Sequence, residues 1–232
     1  MRAILKFPRT PHLEGSRVQR GDDDVSVVPP SDLRGQQLVI EEKVDGANSG
    51  ISFDSDRHLI LQCRGHALSG GPRERQFDLF KSWANHHQAA LWEVLRTRYV
   101  MYGEWLYARH TIRYDDLPHY FLEFDVLDRD TGEFLSTERR RELLDGVPVV
   151  SVPVLGSGLI DSFEGFLGTS RCASMEWMEG LYIKREEEGK VLGRYKYVRN
   201  SFIQAVEDEG IHWMDRPIEP NSLRAGVDLF AD

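Results

Sequence analysis

The sequence is poor in cysteine and has no excess of positive charge. Its two cysteines, Cys63 and Cys172, are too few for a disulfide framework, and neither has a cysteine or histidine nearby at zinc-finger spacing. We therefore expect a reducing, cytoplasmic location. The formal net charge of −9 argues against a protein that coats nucleic acid by bulk electrostatics, although it leaves room for a local basic groove.

Long apolar runs are also missing. The N-terminal stretch "MRAILKFPRTPHLEG" has too few consecutive apolar residues for a signal peptide. The most apolar later stretch, "VPVVSVPVLGSGLI", is interrupted by Pro148, Pro153 and glycines, so we expect no membrane span and no membrane partner. With 232 residues, 41% of them hydrophobic, the chain is long enough to bury a core as one large domain or two small ones.

The pattern that is present is dominated by strands. Short runs rich in β-branched and aromatic residues predict strands at residues 3–7, 37–43, 49–53, 58–63, 99–108, 119–128, 179–185 and 191–199. Apolar residues at three- and four-residue steps predict one long helix over 74–96. Ser136 and Asn200 can cap short helices over 137–145 and 201–210. These elements predict an α+β fold, with helices packed outside one or two antiparallel sheets.

A lysine at the end of the predicted strand 37–43 is the first chemical feature. Lys43 begins the stretch "KVDGAN" and is followed by Asp45 and Gly46. Alone, Lys-x-Asp-Gly is a weak signal, and a strand-edge lysine beside a turn explains a lone match.

Charged side chains, and one phenylalanine beside an aspartate, follow in order on or next to the later predicted strands. They are Arg64, Glu104, Phe124 with Asp125, Glu179, Lys184, Arg194 and Lys196. Because burying an unpaired charge is costly, several strands that each carry one charged group predict convergence on a polar pocket.

This ordered set resembles the motifs of the covalent nucleotidyltransferase superfamily, the polynucleotide ligases and capping enzymes. Those motifs are K-x-D-G, an R-G element, a G-E strand, an F-D strand, E-G-x-x-x-K and a basic K-x-K strand. "EKVDGAN" and "KFPRTPHLEGS" are more closely similar to ATP-dependent RNA ligases of the RNA-ligase-2-like kind. The resemblance runs from Lys6 to Phe202 and implies an adenylyltransferase core with an ATP-grasp-like ligase fold.

The resemblance also implies an activity, cofactors and a substrate. A lysine amine would attack the α-phosphate of ATP, with Mg²⁺ or Mn²⁺ present, to form lysyl-AMP. The AMP would pass to an RNA 5′-phosphate, which is then sealed to a 3′-hydroxyl. A lysine suits this role when desolvation or nearby cations lower its pKa, and we expect Arg194 and Lys196 to lie close enough to do so.

Residue roles follow from the resemblance, position by position. It implies catalytic roles for Lys43, Arg194 and Lys196, and a metal-binding role for Glu179, because Mg²⁺ prefers oxygen ligands. The implied cofactor-binding residues are Glu42, Asp45, Gly46, Asn48, Arg64, Glu104, Phe124 and Lys184. Within this set, Phe124 offers a flat face for adenine, and Gly46 would let the nucleotide approach the backbone.

Two departures from the family pattern matter. Arg194 stands where lysine is usual, and a planar guanidinium is a different phosphate partner. Only 33 residues follow Arg199, so we expect a catalytic domain over 1–210, a tail over 211–232 and no appended OB-fold. Strand joining would then depend on a partner such as an end-healing kinase–phosphatase. Only 42 residues precede Lys43, which favours ATP over NAD.

Alternatives stay open at this point. The chain could be a minimal DNA ligase or another nucleotidyltransferase, a catalytically silent protein that binds RNA ends or nucleotides, or a domain whose strand charges are incidental. Phe124 could be ordinary core, and Arg194 and Lys196 could pair with the acids of "KREEEGK". We expect His86 and His87 at the surface and "ERRRE" as a solvated helix face.

Overall fold

The structure, a computed structural model, describes residues 4–17, 25–174, 176–202 and 217–231. Within them, thirteen strands form one continuous and mostly antiparallel sheet. The strands are β1 (His12–Leu13), β2 (Val27–Val28), β3 (Gln37–Lys43), β4 (Ala47–Phe53), β5 (Leu59–Cys63), β6 (His66–Ala67), β7 (Tyr99–Trp105), β8 (Phe121–Asp128), β9 (Phe134–Leu135), β10 (Val150–Ser151), β11 (Val154–Leu159), β12 (Gly180–Glu187) and β13 (Lys190–Val198).

Helices are few and short. They are α1 (Asp78–His86), α2 (Gln88–Leu95) and α3 (Thr137–Leu143), with 3₁₀ turns at Pro30–Leu33, Pro72–Phe77 and Glu164–Phe166. The α+β prediction is therefore confirmed. The oxygen of Ser136 accepts a hydrogen bond from the Arg139 backbone N–H, so the predicted cap of α3 is also confirmed.

The prediction of one helix over 74–96 is wrong in its continuity. Its first turns are 3₁₀, and α1 and α2 are separated at His87, whose backbone leaves the helical region. The expectation that His87 lies at the surface is also wrong. Its imidazole is buried, and Nε2 lies 2.9 Å from the carbonyl oxygen of Leu229, so a tertiary contact holds the interruption.

The predicted N-terminal strand is wrong in its described part, because residues 4–7 have no regular secondary structure. The carbonyl oxygen of Leu5 accepts hydrogen bonds from the Tyr102 hydroxyl at 2.9 Å and from Gln62 Nε2 at 2.8 Å. Side chains of the sheet thus satisfy a backbone group that a neighbouring strand would otherwise bond. The predicted helix over 201–210 lies largely outside the described residues.

The order of strands divides the sheet into two connected halves. The order is β11-β3-β12-β13-β9-β8-β7-β4-β5-β6, with β1 beside β13, β2 beside β1 and β10 beside β8. The short strand β9 joins the half that contains β3 to the half that contains β7. The hairpin between β12 and β13 turns at Glu188 and Gly189, both with positive φ, as a tight two-residue turn requires.

Two apolar clusters support these halves. The larger packs α1 and α2 against β4, β7 and β8, with Phe80, Trp83 and Trp105 fully buried at its centre. The smaller lies on one face of β3 and β12 and includes Leu38, Ile40 and Ile183. The opposite face of β3 and β12 is left for polar side chains.

Residues 217–231 lie against the core rather than away from it. Asn221 donates from Nδ2 to the Leu106 carbonyl oxygen at 2.7 Å and accepts from the Tyr114 backbone N–H at 2.9 Å. The segment is irregular, as predicted, with bridges of Pro220 to Ala108 and of Leu223 to Leu117. Across the described ranges, no helix is both long and apolar enough to cross a membrane.

Candidate active site

Strand register brings Lys43 to a carboxylate that lies far away in the sequence. Lys43 ends β3 and pairs with Gly180, directly after Glu179. Its Nζ lies 2.7 Å from each carboxylate oxygen of Glu179, and 26% of the Lys43 side chain is exposed against 4% for Glu179. The structure thus places one predicted catalytic residue in direct contact with the predicted metal ligand.

The electrostatics around Lys43 differ from the prediction. Burial lowers the pKa of Lys43, but the carboxylates of Glu179, Glu104 and Asp45 outweigh it, so the pKa lies above its ordinary value. The expected lowering of the Lys43 pKa by Arg194 and Lys196 is therefore wrong. Lys43 is held as an ammonium.

The two carboxyl groups have shifted pKa values in turn. Burial raises the pKa of Glu104 to about 8 and that of Glu179 to about 7, in both cases against the attraction of Lys43. Lys196 also lowers the pKa of Glu179. Buried ionisable groups that shift one another in this way are typical of functional sites, although structural ion pairs do the same.

Residues in register on β3, β12 and β13 form three rows on the face of Lys43, the first of which is Lys43 with Gly180 and Val198. The second row is Glu41, Tyr182 and Lys196, and the third is Val39, Lys184 and Arg194. Because partners in register point to the same side of a sheet, Lys196 and Arg194 lie on the Lys43 face. In the described residues, Arg194 forms no ion pair with the acids of "KREEEGK", and its Nη1 is buried without a hydrogen-bond partner.

Arg194 is packed on aromatic rings. Its guanidinium lies 3.8 Å from the Phe134 ring centroid and 5.1 Å from that of Phe7. Phe7 also meets Phe124 edge to face at 5.1 Å, and Phe124 meets Tyr182 at 5.7 Å. The predicted adenine-stacking residue therefore belongs to an aromatic cluster, and Phe7 and Tyr182 are site neighbours that the motif reading missed.

Lys184 lies deeper than a ligand-binding role suggests. It is fully buried, with Nζ 2.9 Å from Glu41 and 3.0 Å from Asp125, and it donates to the Phe124 carbonyl oxygen. The network continues through Arg140, which contacts Glu41 and also Glu123 at 2.5 Å. The ionic groups of the network are Glu41, Glu123, Asp125, Arg140 and Lys184, all of them buried.

The expectation that "ERRRE" is a solvated helix face is therefore wrong at its central arginine. Arg139 and Arg141 are exposed, but Arg140 is fully buried. Thr137, Arg140 and Leu144 lie three and four residues apart and are all buried, so one face of α3 packs on the sheet. That spacing is the signal that could have identified Arg140.

The "KVDGAN" loop is held by its own protein contacts. Asp45 Oδ2 accepts from the backbone N–H groups of Thr111 at 2.8 Å and Ile112 at 3.0 Å. A Cβ at Gly46 would lie 2.7 Å from the Leu106 side chain. The packing of the core therefore already requires glycine here, whatever the nucleotide requires.

The remaining predicted residues flank this loop. Asn48 lies opposite Glu104 in the pairing of β4 with β7, and its carbonyl oxygen accepts from the Arg64 backbone N–H at 2.9 Å. Arg64 is exposed and has a positive φ of 53°, which directs the chain out of β5. Glu42 points the other way. Its buried carboxylate accepts from the Ser170 hydroxyl and from the Arg171 backbone N–H at 2.9 Å.

Oxygen donors for a divalent cation are available beside Lys43. Glu179, Glu104 and Asp45 all act on its pKa, and Glu104 Oε2 is buried without a hydrogen-bond partner in the described structure. This donor set fits Mg²⁺ or Mn²⁺, which commonly keep several waters. In the described ranges, the only group of three or more possible metal ligands whose ligand atoms all lie within 4.8 Å of one another is in the turn between β4 and β5. It consists of Asp54, Asp56 and His58.

The sequence and the fold both match known RNA ligases. A family model described as RNA ligase matches residues 36–198. No curated protein sequence matches the chain.

Solved structures of the Naegleria gruberi RNA ligase share the fold. The structure with PPi is 21% identical, covers 89% of this chain and 61% of that chain, and has a TM-score of 0.62. A mutant with ATP and Mn is 19% identical, covers 77% and 54%, and has a TM-score of 0.57. A mutant with AMP and Mn is 19% identical, covers 89% and 61%, and has a TM-score of 0.60. The chain thus spans less than two thirds of the length of these proteins.

Proposed function

Because the chain belongs to the RNA ligase family, we propose that it is an ATP-dependent RNA ligase whose nucleophile is Lys43. The observation that carries this proposal is the partly exposed Lys43 ammonium, held by Glu179 among further acids at the end of β3. We also assign its sheet to the nucleotidyltransferase core, since the ordered motifs fall on β3, β7, β8, β12 and β13.

The first chemical step requires the Lys43 amine in its neutral form. Its nitrogen attacks the α-phosphorus of ATP, a P–N bond forms, the P–O bond to pyrophosphate breaks, and the nitrogen releases one proton to solvent. Since Glu179 raises the pKa of Lys43, the ion pair must open before this attack. Until the ion pair opens, Lys43 therefore stays protonated and cannot attack ATP.

The other residues serve the phosphates and the base. Lys196 and Arg194 share the Lys43 face and offset negative charge that develops on the phosphate. Phe124, buried beside Tyr182 and Phe7, bounds the space for adenine. Glu179, with Glu104 and Asp45, would hold Mg²⁺ or Mn²⁺, and the metal supplies charge neutralisation for the phosphate oxygens.

The second and third steps act on RNA ends. An oxygen of an RNA 5′-phosphate attacks the phosphorus of lysyl-AMP, so a P–O–P anhydride bond forms, the P–N bond breaks, and the Lys43 nitrogen takes up a proton. A 3′-hydroxyl then attacks that 5′-phosphate and releases AMP, so one phosphodiester forms for each ATP consumed.

Intact-mass measurement after incubation with ATP and Mg²⁺ or Mn²⁺ tests the proposal. The wild type should gain an AMP-sized mass, and Lys43→Ala should not. Lys190→Ala is the matched control, because Lys190, at the start of β13, pairs with Glu133 at 2.7 Å, and this variant should keep the adduct. An adduct of equal yield in Lys43→Ala would show that another residue is the nucleophile.

Sealing assays on nicked substrates test the choice of RNA. With matched sequences, a nick in an RNA duplex or an RNA–DNA hybrid should be sealed, and a nick in all-DNA duplex should be sealed much more slowly. Equal sealing of the all-DNA nick would favour a minimal DNA ligase instead.

A further inference from the structure

An exposed tryptophan stands at the edge of the candidate site and has no role in the chemistry above. Trp177 is 58% exposed, in a chain that buries most of its large aromatic side chains. It precedes Glu179 by two residues and forms a backbone bridge with Thr169. An exposed indole offers a partner a large flat face together with one N–H donor.

A cation accompanies this indole. The guanidinium of Arg199 lies 4.7 Å from the Trp177 ring centroid, and its Nη1 donates to the Met178 carbonyl oxygen at 3.3 Å. The Arg199 backbone N–H donates to the Glu179 carbonyl oxygen at 3.0 Å. The pair is thus tied through the backbone to the carboxylate that holds Lys43.

Further positive charge lies around the same point. Lys196 is close enough to lower the pKa of Glu179. The exposed Arg171 donates its backbone N–H to Glu42, the neighbour of Lys43. Glu176 is the acidic residue exposed beside Trp177. In a chain of net charge −9, this basic edge favours a partner that is negative and offers a flat face.

We propose that Trp177 and Arg199 form a stacking platform for an unpaired base of the RNA strand whose end is joined. Unpaired RNA bases are commonly held on aromatic rings and on guanidinium planes, and a neighbouring arginine also meets the phosphate. This inference rests on the proposed function, because it places the substrate strand beside Glu179 and Lys43. It adds a substrate contact that lies outside the nucleotide pocket.

RNA binding and AMP transfer of Trp177→Ala test the platform. Its affinity for 5′-phosphorylated single-stranded RNA should fall about 5- to 150-fold, the loss expected for one base–aromatic stack. AMP transfer to that RNA should fall in parallel at subsaturating RNA. Trp177→Phe should bind within about threefold of the wild type, since it keeps a ring, and self-adenylylation should be unchanged in both variants.

Leu159→Ala is the matched control. Leu159 is 65% exposed and pairs with Gln37, at the end of β3 opposite Lys43 and about 20 Å away. It should bind RNA like the wild type. Equal affinity of Trp177→Ala and Leu159→Ala would overturn the platform.

A fluorescence titration keeps the test independent of catalysis. Added RNA should quench wild-type emission more than that of Trp177→Phe, and equal quenching would overturn the proposal. Sedimentation of the wild type and of Trp177→Ala tests the alternative that this surface binds a second protein chain. If Trp177→Ala changes only the oligomeric state and leaves RNA binding intact, the surface binds protein and the proposal is wrong. If the wild type gains no AMP mass, the proposed function is contradicted. If it gains the AMP mass but RNA quenches its emission no more than that of Trp177→Phe, only the platform is contradicted.

Discussion

Replacing Arg140 with methionine should destabilise the folded protein by about 3–5 kcal/mol. Arg140 is fully buried on α3, and its guanidinium contacts the buried carboxylates of Glu123 and Glu41. Lys184 is the second cation of this network, and Asp125 is the third carboxylate. Without Arg140, a single ammonium would face three buried carboxylates.

The magnitude comes from uncompensated charge rather than from lost packing. Methionine fills much of the same volume, so the cavity cost is small compared with that of an alanine. Burial already raises the pKa of Glu41 above its ordinary value, against the attraction of Arg140 and Lys184. Loss of Arg140 raises it further, so the folded variant binds a proton that the unfolded chain releases. Its stability should therefore fall as the pH rises, and the destabilisation should be smaller at pH 5 than at pH 8.

Urea denaturation followed by fluorescence measures the change, with the midpoint and the slope m fitted for each variant. The control is Arg141→Met, exposed on the same helix, which should stay within about 0.5 kcal/mol of the wild type. The double variant Arg140→Met/Glu123→Gln should recover part of the loss. The recovery is incomplete because the Glu123 carboxylate also accepts from the Ser151 hydroxyl at 2.7 Å. A loss below about 1 kcal/mol for Arg140→Met at unchanged m would refute the argument.

Two further predictions concern His119 and Gly46. Burial lowers the pKa of His119 to about 4, so the unfolded chain binds more protons than the folded one below about pH 6.5, and stability is lost as the pH falls. This should cost about 1.3 kcal/mol at pH 5.5 and about 2.5 kcal/mol at pH 4.5 relative to pH 7.5, and His119→Asn should remove that slope in urea titrations. An equal slope in both proteins would assign the acid sensitivity elsewhere. Gly46→Ala should cost about 1–3 kcal/mol by the same assay, because its methyl group would lie 2.7 Å from the Leu106 side chain. A variant of full stability that only binds ATP more weakly would show instead that Gly46 serves the nucleotide.

Local pattern predicted most of the sheet because strand period and turn chemistry are properties of adjacent residues. The strand over 37–43 and the hairpin around "EEEGK" were predicted in this way and are present as β3, β12 and β13. The segment before Pro8 was misread for the converse reason. Its apolar residues look like a strand, but its backbone partners are the side chains of Gln62 and Tyr102, which no local pattern reveals.

The residues of the site were easier to predict than their roles. Ordered motifs brought Lys43 and Glu179 to one place, and the structure has their charged atoms in contact. The predicted direction of the Lys43 pKa shift was wrong, because it depends on how closely Glu179, Glu104 and Asp45 approach the ammonium. The spacing of these residues along the chain does not predict how far their carboxylates lie from the Lys43 ammonium. Likewise, a run of three arginines does not say which one is buried until the face of α3 is known.

The acidic-basic triplet that ends β3 shows how one strand serves three purposes. Alternation sends Glu41 and Lys43 to one face and Glu42 to the other. Glu41 enters the buried network with Lys184, Glu42 holds the 170–171 turn, and Lys43 emerges beside Glu179. A solvated strand edge would leave all three exposed, yet Glu41 and Glu42 are 0% and 1% exposed. Buried carboxylates without partners are costly, and each of these two has partners, Glu41 on one face of the sheet and Glu42 on the other. The strand is therefore fixed on both faces just before Lys43, which gives the proposed nucleophile the rigid position that an in-line attack on phosphorus requires.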